Sequence, residues 1–216
     1  MAELVFDCLD VRSDRYAAGP TLSFQLRIAE TTGERVHAIA LRCQIRIEPQ
    51  KRRYAPLEAD RLNGLFGDAS RWADTLKPVQ FAHASVMVPS FSGSIEVALP
   101  VPCTYDLEVA STSYFHALDD GEVPLLLLFS GTVFTRGEHG FSVGQVPWQK
   151  ETTYRLPVSE WRSMMDAFFP GGGWLRVSRS TLDALGAYKT ARALPTWEHT
   201  IVTLLQGADQ PSELAP

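Results

Sequence analysis

Two hydrophobic periodicities divide the chain. In residues 22–29, Leu22, Phe24, Leu26 and Ile28 alternate with Ser23, Gln25 and Arg27. In residues 36–48, Ile39, Leu41, Cys43, Ile45 and Ile47 alternate with Arg42, Gln44, Arg46 and Glu48. A period of two marks a strand with one face in a core. The link Thr31-Thr32-Gly33-Glu34 is short and contains glycine, so the two runs are expected to pair as a hairpin. Weaker alternations predict an edge strand at 3–9 and strands near 79–88, 94–100, 103–112, 141–147 and 152–156. A further strand is expected at 123–135. Its run from Val123 to Phe129 is too apolar for a wet face and should be covered on both sides, at the centre of the core.

The second period is helical. Pro56-Leu-Glu-Ala-Asp-Arg-Leu-Asn-Gly-Leu-Phe predicts a helix at 56–66, with Pro at its first position and Gly67 beyond its end. A second turn at 68–74 would complete a helical insertion between strands. After Pro157 the pattern becomes helical throughout. Trp161, Met164, Met165 and Phe168 stand at i, i+3, i+4 and i+7, one apolar stripe stopped by Pro170 and three glycines. Ser178 caps a helix carrying Leu182, Leu185 and Tyr188, and Thr196 caps one carrying Trp197, Ile201, Leu204 and Leu205. Strands followed by helices indicate an α+β fold: an antiparallel sheet or sandwich core with two or three C-terminal helices. A single domain at 1–207 is expected, with the insertion near 56–74 and a flexible tail at 208–216.

Composition changes this picture little. The 216 residues carry a formal charge of −5, which gives no global reason to seek nucleic acid. No apolar run is long enough to span a membrane, and the N-terminus lacks the pattern of a secretion signal. Cys8, Cys43 and Cys103 are odd in number and widely spaced, which suits reduced thiols in a cytoplasmic protein.

The chemistry offered is sparse. His116, Asp119, Asp120 and Glu122 set an imidazole and three carboxylates on one turn, a set that a metal ion could accept or that could move protons. Asp-Asp-Gly is equally ordinary turn chemistry. The serines lack a nucleophile frame, and Gly171-Gly172-Gly173 follows a helix and precedes no Lys-Ser or Lys-Thr, unlike a phosphate loop. No cofactor is expected. Arg42, Arg46, Arg52 and Arg53 form a basic stretch that suits solvent or an acidic protein partner. Trp161, Met165, Phe168 and Trp174 could make a flexible apolar contact surface, or could simply dock their helix on the sheet.

Several blocks resemble an uncharacterised bacterial family, a domain of unknown function. They include Arg15-Tyr-Ala-Ala-Gly-Pro-Thr-Leu, Pro102-Cys-Thr-Tyr-Asp-Leu-Glu-Val-Ala, Tyr114-Phe-His-Ala-Leu-Asp-Asp-Gly-Glu and Ala193-Leu-Pro-Thr-Trp. Its members are often encoded beside oxygen-tolerant nickel–iron hydrogenases. The resemblance implies an accessory, maturation or assembly role and assigns no catalytic residue. In outline the order of elements is also similar to the SecB export chaperones, with an immunoglobulin-like sandwich plus helices as the competing architecture. The expectation is therefore a non-enzymatic, chaperone-like binding protein with a protein partner, hydrogenase subunits or maturation factors among the candidates. Homo-oligomerisation is compatible with it. The alternatives are a metal-handling protein or enzyme built on the acidic turn, and a structural oligomer subunit.

Overall fold

The computed structural model describes residues 3–103, 108–137, 140–171 and 177–208. Among them, eight strands form two antiparallel sheets. The smaller has the order β1 (Leu4–Ser13), β2 (Thr21–Glu30), β5 (Ser94–Pro102). The larger has the order β4 (Val79–Val88), β3 (Val36–Ile47), β6 (Glu122–Gly137), and β6 pairs on its far side first with β8 (Glu151–Pro157) and then with β7 (Gly140–Gln145). The alternating apolar side chains of both sheets meet in one core, where Phe6 stacks on Phe129 at 4.4 Å. This is the expected α+β architecture with a sandwich-like core.

The expected hairpin of β2 with β3 does not form. Both runs are strands with one buried face, but they belong to opposite sheets. The Glu30 amide donates to the Gly93 carbonyl at 2.7 Å, and Val36 and Phe91 exchange two backbone bonds at 3.0 and 3.1 Å. The β4–β5 connection thus takes up the polar groups that a hairpin would have paired internally, and both links cross between sheets side by side. Alternation reports which face is buried and is indifferent to which strand lies alongside.

Two other expectations are corrected. The predicted strand at 103–112 gives way to a helix, α3 (Glu108–Ala117), with residues 104–107 outside the described set. Tyr114, Phe115 and Leu118 are fully buried, a spacing that only a helical turn brings to one side. The strand β6 is central, as expected, but its outer face is only partly covered, with Pro124 buried there. Val123, Leu125, Leu127 and Phe129 fill the core, whereas Leu126 and Leu128 are half-buried and Ser130 is exposed.

Helices close one end of the sandwich. The insertion between β3 and β4 supplies α1 (Pro56–Phe66) and α2 (Trp72–Thr75), as the helical period predicted. Behind β8, α4 (Val158–Phe168) packs on the sheets through Trp161 and Met164, with Trp161 stacked on Phe115 at 4.4 Å. Residues 1–171 make one compact unit. The second unit, from residue 172 onward, contains α5 (Arg179–Ala191) and α6 (Trp197–Ala208). The expected caps are present, with Ser178 Oγ accepting from the Thr181 amide at 3.2 Å and Thr196 Oγ1 from the His199 amide at 3.1 Å.

Glu30 ties the end of β2 to the chain start. Its Oε1 accepts from the Glu3 amide (3.1 Å) and from the Thr32 amide (3.0 Å) and hydroxyl. Burial pushes this carboxyl up, but the hydrogen bonds from Thr32 and Glu3 outweigh it and hold its pKa below the usual range. A carboxylate depressed in the folded state stabilises above its unfolded pKa, and that contribution fades as pH falls through the folded value. Below about pH 4.3, the unfolded value for glutamate, wild-type stability should therefore fall more steeply than that of Glu30→Gln. Urea unfolding of both proteins across that range measures the difference.

Candidate functional site

The acidic turn is held in place from beneath. Glu58, buried near the start of α1, accepts at Oε1 from Arg52 (2.7 Å) and from the Asp119 amide (2.9 Å), and at Oε2 from the Ala55 amide (3.1 Å). Arg52, whose side chain is 9% exposed, also donates to the carbonyls of Asp120 (2.6 Å) and Glu122 (3.3 Å). Arg61 pairs with the Asp119 carboxylate, and Arg162 donates to the Leu118 carbonyl. Beside them, the Tyr54 hydroxyl donates to the Pro49 carbonyl at 2.8 Å, so the Tyr114 hydroxyl is the donor in their 2.8 Å contact. Burial raises the pKa of both tyrosines, that of Tyr54 to about 12.

His116 lies exposed in the last turn of α3, and Asp119, Asp120 and Glu122 are exposed along the turn after it. Among the described residues, no group of three or more His, Cys, Asp or Glu is placed to hold a metal ion. The backbone of the turn, rather than its carboxylates, makes most of the contacts. Cys8, Cys43 and Cys103 are free thiols, pushed up to about 12 by burial, so they remain protonated small hydrophobes.

The basic stretch separates into two kinds of residue. Arg52 is consumed by the buried pair and is no contact surface, because a guanidinium taken out of water needs its carboxylate and carbonyl partners. Arg42 and Arg53 are exposed, and Arg46 is half-buried with its guanidinium on Gln44 at 3.2 Å. Arg42 stands in register between Ser85 of β4 and Ser130 of β6. With Gln44 and His83 these residues line a shallow groove of about 460 Å³ on the outer face of the larger sheet.

The aromatic stripe divides in the same way. Trp161 is buried in the core and serves to dock α4, while Met165 and Phe168 are half-buried and Trp174 lies outside the described residues. Phe168 borders a cleft of about 750 Å³ where β1, β8 and α4 meet, lined also by Arg12, Arg15, Tyr154 and Glu160. Burial, with the Asp10 charge second, raises the pKa of Tyr154 there. Sequence reading missed this cleft because its walls come from segments more than a hundred residues apart.

Apolar side chains also remain exposed on α5 and α6. Trp197, Ile201, Leu204 and Leu205 follow one another at i, i+4, i+7 and i+8 on α6, and Leu205 is 60% exposed. Leu182 of α5 is exposed as well, and Thr200 is the one residue of α6 that is buried.

The chain belongs to a family of unknown function, DUF6084, whose model matches residues 1–213. A search of curated proteins finds no match. Among solved structures, the chain is similar to a β-glucosidase from Kluyveromyces marxianus, with 9% identity and a TM-score of 0.27 over 71% of this chain and 15% of that one. It is also similar to β-glucosidase 3B from Thermotoga neapolitana, at 14% identity and a TM-score of 0.26 over 71% of this chain and 17% of that one. A late embryogenesis abundant protein aligns at 14% identity and a TM-score of 0.31 over 73% of this chain and 72% of that one. The chain thus spans less than a fifth of either glucosidase. Among the described residues, no helix is long and apolar enough to cross a membrane.

The two arginine–carboxylate pairs at the turn should differ sharply in energetic weight. Arg52→Ala leaves the Glu58 carboxylate buried without its cation and should cost about 3–5 kcal/mol. Arg61→Ala breaks a pair open to solvent and should cost under about 1 kcal/mol. Urea denaturation of both variants gives the two numbers directly.

Proposed function

We propose that this protein is a non-enzymatic binding protein, an accessory or assembly factor that engages a partner polypeptide through its C-terminal helices. The carrying observation is the apolar stripe of α6, which leaves Trp197, Ile201, Leu204 and Leu205 open to solvent. Helices of 12 and 13 residues are marginal in water on their own, and most helical stability comes from burying an apolar face. An exposed contiguous stripe of large hydrophobics is the usual mark of an interaction surface. The family resemblance makes nickel–iron hydrogenase subunits and their maturation factors the first partners to test, in a cytoplasmic setting.

The experiment compares a host strain lacking the gene with strains carrying wild-type protein, Leu205→Asp, or Trp197→Ala with Ile201→Ala. If the reading holds, deletion lowers the yield of assembled hydrogenase, wild type restores it, and both helix variants fail to restore it while remaining folded by circular dichroism. Full hydrogenase assembly in the deletion strain would count against hydrogenase as the partner. Equal rescue by all three proteins would count against α6 as the contact.

A further inference from the structure

The two sheets treat charge on their outer faces differently. On the smaller sheet, Arg27 stands in register between Asp7 of β1 and Glu96 of β5, and its guanidinium meets the Asp7 carboxylate at 3.0 Å. On the larger sheet, Arg42 has a serine on each side. Arg46 stands in register with Leu126, and Arg155 of β8 with Pro124. Between the rows of Leu126 and Thr132, the acidic residue on the outer face of the described strands is Glu151 alone, opposite Leu128, while Glu48, in the row of Pro124, is paired with Lys51. This concentration of cations belongs to a chain whose formal charge is −5. Among the described residues, neither Arg42 nor Arg155 has a carboxylate partner. The centre of the face is apolar, since Leu126 and Leu128 are only half-buried.

We propose that this face docks an acidic, partly apolar segment of a partner polypeptide. The inference rests on reading the protein as a binding protein, and it adds a second contact surface with a stated chemistry. Arg42 and Arg46 are four positions apart along the strand, about 13 Å at the usual rise. An extended segment presents side chains of one face at i, i+2 and i+4 with the same repeat. Carboxylates at i and i+4 therefore reach Arg42 and Arg46, while an apolar residue at i+2 rests against Leu126 and Leu128. The forked guanidinium favours carboxylates in two-point contact, and Ser85, Ser130 and His83 supply further donors around Arg42. The neutral floor disfavours a polyanion of uniform charge, which would gain nothing from the leucines.

Fluorescence anisotropy with the full chain tests this, using a labelled peptide that repeats Glu-Ser-Leu-Ser. Binding is expected at low ionic strength, weakened by salt, and reduced about tenfold or more by Arg42→Glu with Arg46→Glu. A peptide with Lys in place of Glu should not bind, and Leu205→Asp should bind the acidic peptide as wild type does. Equal binding by the charge-reversed protein overturns the inference. So does tighter binding of a single-stranded oligonucleotide or of inorganic phosphate, which would make the face a general anion site. Because the peptide assay needs no native partner, its failure leaves the role of α6 standing. Failure of the α6 variants in the host likewise leaves this face standing.

Discussion

Backbone touches backbone between Ala40 and Gly131, in the middle of the larger sheet. A Cβ at position 131 would lie 2.2 Å from the Ala40 carbonyl oxygen, and Gly131 has φ of +145°, a conformation that side chains resist. At this residue β6 changes partner on its outer side. Below it the strand pairs with β8, and above it with β7. The link between those two strands is hydrogen-bonded to β6 at the glycine and just before it, the Val146 amide donating to the Gly131 carbonyl and the Phe129 amide to the Lys150 carbonyl, each at 2.9 Å. On its inner side β6 keeps register with β3 from Ile47 to Ala38. One close approach thus lets a 16-residue strand serve three neighbours, and the core forms on the side where its odd-numbered residues point.

The end of the sandwich follows from a different constraint. The chain enters β6 from α3 through a turn whose backbone carbonyls point towards α1 and α4, and buried carbonyls need donors. Arg52, Arg61 and Arg162 supply them from three separate segments, and Glu58 balances Arg52 while binding two amides. Gly121, with φ of +83°, permits the reversal itself. The insertion after β3 is therefore an anchor for the β6 entry. The carboxylates that could be taken for metal ligands are the outer fringe of that anchor.

Much of this was legible in the residues, and the failures have specific causes. Strong alternation located β2 and β3, weaker alternation β4 and β5, and a continuous apolar run β6, while the 3.6-residue stripes and the caps located α4, α5 and α6. Alternation could not say that β2 and β3 part into different sheets, because Leu22–Ile28 and Ile39–Ile47 bury the same pattern of side chains in either arrangement. Residues 103–112 carry β-formers such as Val109 and Tyr105, whereas the helix is decided further along by Tyr114, Phe115 and Leu118 meeting the core. Arg52 and Arg42 were indistinguishable as basic residues. Burial separates them, one enclosed with Glu58 and the other open between two serines.

The same contrast explains why such a protein conceals its role. Core positions leave a periodic trace because every one of them must exclude water, so Leu125, Leu127 and Phe129 announce themselves. A docking face has no such obligation. Arg42, Gln44 and Arg46 satisfy a strand's demand for polar outward residues whatever they bind, and their identity costs the fold little. What distinguishes them is the missing counter-charge, and that becomes visible only when register shows which side chains stand opposite. On the smaller sheet Asp7 and Glu96 answer Arg27; on the larger, serine, leucine and proline stand where carboxylates could have been. Desolvating such arginines on binding is costly unless the incoming surface brings its own negative charge. Any partner seated on this face must therefore carry the carboxylates that the sheet itself omits.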